Sequence, residues 1–176
     1  MRKYELIESA RRGLYRIKAI INFADVEAGD IGGFVENEVN LSHEGEAWVY
    51  GNAIVSGNAH VCDHANVYGN AHVSGNAHVY DYALVSGYTN VCANAMIGET
   101  YHIFTAGPVG SRDDYVTFFR NEDKEIFVVC GCFEGTISEF LNKVNETYPV
   151  DKDTDNYGNM YRSLVEIAEN KSNILR

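Results

Sequence analysis

Between Gly45 and Gly98 the apolar and polar positions recur every six residues. Read from Gly45, the chain divides into nine hexads: GEAWVY, GNAIVS, GNAHVC, DHANVY, GNAHVS, GNAHVY, DYALVS, GYTNVC and ANAMIG. The fifth place is Val in eight of them and Ile97 in the last; the third is Ala in eight and Thr89 in the other. A small and a β-branched residue two apart point to one side of a short strand. The Gly-Asn or Asp that opens six of the nine blocks is turn chemistry. Frequent Gly and a period of two within each block oppose a helix. The pattern predicts a stack of short strands with Ala and Val inward and a tight corner after each.

The flanks follow other rules. Residues 3–8 and 13–20 read as strands joined by the hairpin turn SARRG, and 21–32 lead into the repeats. A hairpin there would cap the open end of a strand stack. After the repeats, 101–112, 115–121 and 125–133 read as three strands. Thr136, with Glu139 three residues on, forms a capping box that opens a helix. Tyr148-Pro149 ends that helix, and a second covers about 159–171. The expected organisation is a β cap (1–32), the repeats (33–98) and an α/β module of three strands and two helices (99–176).

Charge sharpens this division. The net charge is −11, yet residues 45–98 hold three carboxylates and no Lys or Arg. No basic cluster exists to follow a phosphate backbone, so direct nucleic-acid binding is not expected. No apolar run approaches the roughly 18 residues of a membrane span. The first residues lack an apolar signal region, which makes the cytoplasm the expected compartment. The four cysteines do not read as a disulfide framework. Cys130 and Cys132, two apart on an expected strand, read as buried thiols rather than half of a metal site. No metal or cofactor is expected.

The hexads resemble those of the hexapeptide-repeat proteins. The resemblance implies a mainly β fold, a left-handed parallel β-helix with three hexads to a coil. Residues 33–44 keep a six-residue step between Val35 and Leu41 but two places out of phase, an irregular entry coil. Stacking at 18 residues puts Trp48, Asn66 and Leu84 in one outward column. Ile54, His72 and Asn90 form a second, and His60, His78 and Met96 a third. Uncharged columns carrying Trp48, Ile54, Leu84 and Met96 imply a covered face. The family trimerises through such faces, so a homotrimer is expected; the alternative is that a terminal segment folds over one of them. Resemblance to the acyltransferases of this family makes His60, His64, His72 and His78 candidates for a general base at a subunit interface. Against that, no loop interrupts the hexads to wall off a substrate, and no carboxylate is plainly placed to orient a histidine.

The module after the repeats offers a different chemistry. AGPVGSR places Gly107, Gly110, Ser111 and Arg112 at the end of a strand, the parts of a phosphate or carboxylate cradle. Arg120 is a second cation near by in sequence. A purely structural turn, with Arg112 pairing locally to Asp113-Asp114, is an equal alternative for the same residues.

AGDIGGFVENEVNLSHEGEAWVYGNA, the repeats and GPVGSRDDYVTFFR…VVCGCFEGTISEF together resemble small proteins carried by bacteriophages and prophages. That resemblance implies a setting in the bacterial host's cytoplasm and a counter-defence role. Three functions follow. The first is non-catalytic capture of a small phosphate-bearing ligand, such as a signalling nucleotide, in an oligomer. The second is a protein-binding inhibitor of a host defence complex, acting through a β-helix face or the acidic tail. The third is an acyltransferase.

Overall fold

The computed structural model describes residues 1–171, so the last five residues of the expected α/β module lie outside the described residues. The chain forms two compact units, Met1–Thr100 and Tyr101–Arg176.

The first unit is a β-solenoid of two-residue strands. In chain order β4 (Trp48–Val49), β5 (Ile54–Val55), β6 (His60–Val61), β7 (Asn66–Val67), β8 (His72–Val73), β9 (His78–Val79), β10 (Leu84–Val85), β11 (Asn90–Val91) and β12 (Met96–Ile97) follow one another at each hexad. Each pairs in parallel with a strand of the neighbouring coil, as Trp48 with Asn66, Asn66 with Leu84 and His60 with His78. Backbone groups close between coils, His60 N–H donating to Ala77 O at 2.9 Å and Tyr68 N–H to Val85 O at 2.8 Å. The interior is what the third and fifth places predict: Ala47, Ala65, Val49 and Val67 are fully buried. Thr89, in the one Ala place it replaces, donates its hydroxyl to Ser86 O at 2.6 Å. The corners turn through positive φ at Gly51, Gly57, Gly69 and Gly75, and Asp63 (58°) and Asp81 (51°) take the same place. Short polar side chains tolerate that left-handed region better than most. Amides stack along one corner, Asn58 donating to Asn76 at 3.0 Å and Asn76 to Asn94 at 3.1 Å.

The entry coil is out of step by two residues. β3 (Ile31–Val35) pairs Phe34 with Ile54 and Val35 with Val55, and Leu41 bridges to Val61. The surplus lies between Leu41 and Val49, and Lys3 fills it. Its Nζ donates to the carbonyls of Ala47 (2.8 Å), Gly45 (3.3 Å) and Glu44 (3.4 Å). Burial lowers the Lys3 ammonium to about 8. The expected hairpin is present as β1 (Tyr4–Glu8) and β2 (Tyr15–Ala19). It continues the β3-β5-β8-β11 sheet in antiparallel fashion, so at that end this sheet does not stop on a bare solenoid strand.

One expectation needs correction here. Trp48 is not on an open outward face: it is 1% exposed, under Phe23 (5.4 Å between centroids) and Tyr4 (6.1 Å). The N-terminal segment covers that part of the column. Leu84, two coils on, is 40% exposed, whereas Ile54 and Met96 are half-buried.

The second unit is a four-stranded antiparallel meander, β13 (Ile103–Val109), β14 (Asp114–Arg120), β15 (Ile126–Cys130) and β16 (Phe133–Thr136), with helices α1 (Ile137–Thr147) and α2 (Tyr157–Asn170). The third expected strand is two, because Gly131 (φ 59°) turns the chain between Cys130 and Cys132. The two cysteines thus flank a hairpin turn rather than sharing a strand face; Cys130 is partly buried and Cys132 exposed. Val116, Phe118 and Val128 alternate toward the helices and meet Phe140, Val144, Tyr161 and Val165. Thr136 caps α1 in the expected capping box, Glu139 Oε2 accepting from Thr136 N–H at 2.8 Å. Arg162 of α2 donates to Asn145 Oδ1 (2.9 Å) and to Tyr148 O (2.7 Å), tying the end of α1 to α2.

Candidate functional site

In the second unit the β13–β14 turn, the β15–β16 turn and α1 enclose a pocket of about 170 Å³. Ser111 and Arg112 come from the first turn, Cys130, Gly131, Cys132 and Phe133 from the second. Helix α1 contributes Phe140, Lys143, Val144 and Thr147, a set spaced three and four apart on one helical face. Tyr148 and Tyr161 complete the wall, with Phe140 and Tyr161 meeting edge to face at 5.7 Å.

Gly110 is what lets the aromatic wall reach the turn. Its φ is +71°, and a Cβ there would collide with the Tyr161 hydroxyl. Ser111 Oγ lies 3.3 Å from Tyr148 Oη. Burial pushes the Cys130 thiol up, and burial with neighbouring Cys130 pushes the Tyr161 hydroxyl up to about 12. Both groups stay neutral at neutral pH, so the charges at the pocket are those of Arg112, Lys143 and Asp114. Among the described residues Arg112 forms no ion pair; neither Asp113 nor Asp114 comes within 4.0 Å of it. Asp114 instead accepts from the Tyr115 N–H at 2.7 Å. The local Arg-Asp pairing open from the sequence does not form.

The sequence-derived residues separate. Ser111 and Arg112 line the pocket and Gly110 underlies it. Gly107 packs against Tyr115 and is not among the lining residues. Arg120 ends β14, the strand Asp114 begins, and its Nη1 donates to His102 Nε2 at 3.4 Å. A seven-residue strand spans roughly 20 Å, which keeps Arg120 out of the pocket. Lys143, Tyr148 and Tyr161 were not legible as site residues, since an amphipathic helix carries such side chains without any ligand.

On the solenoid, His64 has the carboxylate the sequence did not reveal. Its Nδ1 lies 3.0 Å from Glu46 Oε2, one coil away, and its ring stacks on Tyr82 at 4.8 Å and 5°. Donation from Nδ1 to Glu46 leaves Nε2 as the basic nitrogen. The pair is open to solvent, with side chains 42% and 52% exposed. The signal was the coil repeat itself, which places Glu46, His64 and Tyr82 in one column. His60 Nδ1 donates to Val39 O at 2.6 Å, and His72 Nε2 lies 3.2 Å from Ser56 Oγ. Burial lowers the His72 pKa. His78 meets His60 edge-on at 6.2 Å. Among the described residues no three His, Cys, Asp or Glu side chains converge as a metal site, and no helix is long and apolar enough to cross a membrane.

No protein-family model matches the chain. The uncharacterised acetyltransferase YdcK of Escherichia coli (strain K12) is 36% identical over 80 residues, covering 35% of this chain and 24% of that protein. The chain thus spans about a quarter of the length of the relative it matches. The solenoid and this similarity fit the β-helix class of proteins.

Proposed function

We propose that the second unit is a binding module for a small ligand with an anionic group, carried on a β-solenoid. The observation behind this is an Arg112 guanidinium that forms no ion pair among the described residues and lines an aromatic-walled pocket, which Lys143 also lines. A guanidinium presents a planar fork of donors to a carboxylate or phosphate, and such charge-assisted bonds are the strong ones. Size narrows the ligand. A cavity of about 150 Å³ admits one benzene ring, and sites for drug-sized molecules run from about 300 Å³. At about 170 Å³ the pocket takes one ring-sized body, with charged groups in its lining. A signalling nucleotide would insert only one end. Resemblance to phage-borne proteins adds a setting, stoichiometric capture of a host's signalling ligand, and it rests on the sequence alone.

The test is a thermal-shift series with phenyl phosphate, adenosine monophosphate and 3-phenylpropionate, beside native mass spectrometry of protein taken directly from cells. At least one probe should raise the melting temperature of the wild type and not of Arg112→Ala. A bare mass together with no shift from any probe would sink the reading.

Acyl transfer is the second reading, favoured by the similarity to YdcK, named an uncharacterised acetyltransferase, and by the Glu46–His64 pair. Release of free thiol from acetyl-coenzyme A in the presence of amine or hydroxyl acceptors, lost in His64→Ala, would support it. Assembly as a homotrimer through Ile54, Leu84 and Met96 is retained as part of the proposal. Sedimentation at micromolar concentration showing a monomer would remove it.

A further inference from the structure

We infer that the occupant of the second-unit pocket is a zwitterion with a single aromatic ring, of the aromatic α-amino-acid kind. This rests on the reading of that pocket as an anion-binding site and goes beyond it. The added observation is the carboxylate of Asp114 among the lining groups. A Cβ on Gly131 would lie 3.6 Å from Asp114 Oδ2 and 3.8 Å from Arg112 Nη1. The hairpin turn therefore holds opposite charges next to one another, yet they do not close into an ion pair.

Lys143 adds a second positive charge to the lining. Its contact with Glu146, 3.5 Å long and exposed on both sides, holds it only weakly. A ligand with an anionic group alone would satisfy Arg112 and Lys143 and set its charge beside Asp114. A cationic ligand would meet two like charges. Charge mismatch of this sort is how a site rejects a partner of the right shape. A head group carrying an ammonium and a carboxylate on one carbon answers all three: carboxylate toward Arg112 and Lys143, ammonium toward Asp114. Behind the head, Phe133, Phe140, Tyr148 and Tyr161 form a wall around a space of one ring's size. Ser111, in the same lining, supplies a neutral hydroxyl to the carboxylate.

The experiment compares four probes on the intact wild-type protein by isothermal titration calorimetry: L-phenylalanine, 3-phenylpropionate, phenethylamine and phenyl phosphate. L-phenylalanine should bind at least tenfold tighter than each of the others. In Asp114→Asn its advantage over 3-phenylpropionate should disappear, with an unchanged melting temperature showing that the variant is folded. Equal or tighter binding of 3-phenylpropionate or phenyl phosphate would overturn the zwitterion and leave the anion site standing. Binding of phenethylamine alone, or of none of the four, would overturn both. The wild-type ranking decides the matter even if Asp114→Asn fails to fold.

Discussion

The two units bury apolar surface in opposite ways. The solenoid uses Ala and Val at fixed places, buried and, apart from Thr89 and Ile97, stacked on the same residue type one coil away. The second unit packs Phe118, Phe140, Tyr148 and Tyr161 at centroid separations from 5.7 to 6.4 Å and at mixed angles. A repeated interior of Ala and Val buries each place in the same way from coil to coil. Aromatic residues of unequal shape, converging from β16, the end of α1 and both helices, leave a pocket of about 170 Å³ whose lining also holds Arg112, Lys143 and Asp114. The contrast teaches that regular packing closes an interior, whereas irregular packing leaves a pocket.

Changing the solenoid interior should have the largest effect. Val67→Asp would bury a lone carboxylate where no donor is available, at a cost of about 4 kcal/mol or more. Urea unfolding followed by circular dichroism reads this; a cost under about 1 kcal/mol would mean the interior is not closed. Gly110→Ala comes next, because a side chain there meets both the left-handed φ and the Tyr161 hydroxyl. About 1–3 kcal/mol should be lost, together with any ligand-induced rise in melting temperature. Retained stability with retained binding would show that the aromatic wall can move aside. Thr136→Ala removes the cap of α1 and should cost about 1 kcal/mol, measured by the same unfolding curves.

Arg112→Ala should alter stability by no more than about 0.5 kcal/mol, as an exposed group without an ion pair. Its effect belongs to binding, a loss of tenfold or more; a large stability loss would make it a structural residue instead.

The smallest effect is one of pH. Burial, then a hydrogen bond to Asp63, pushes the Cys62 thiol up to about 11 from an ordinary value of 9.0. The unfolded chain releases that proton first, so stability falls as pH rises through this interval. Cys62→Ala should flatten the fall in melting temperature between pH 9 and 11 relative to the wild type. Parallel curves would show that the thiol ionises as freely in the folded protein.

Legibility differed between the units for a physical reason. The hexads, the two-residue phase slip at the entry, the N-terminal hairpin and the Thr136 capping box are short-range patterns, each contained within a few residues. The turn Gly131 makes is also local, but a strand reading through VVCGCF hid it. Of the pocket lining only Ser111 and Arg112 were legible, with Gly110 beneath them in the same turn. The grouping of Arg120 with them failed because nearness in sequence along an extended strand is distance in space. Lys143 and Tyr161 carry no sign of a site until α1 and α2 pack on the sheet.

The sequence by itself therefore determined the solenoid, because a six-residue rule of small, β-branched and turn residues is satisfied locally and then repeated. It determined as well that Ser111 and Arg112 share a turn. Only the tertiary structure decided that Phe23 and Tyr4 cover Trp48, and that Lys143, Asp114, Tyr148 and Tyr161 line one pocket with Arg112. Those meetings depend on how residues far apart in the chain pack against one another, and side-chain packing has no period to read.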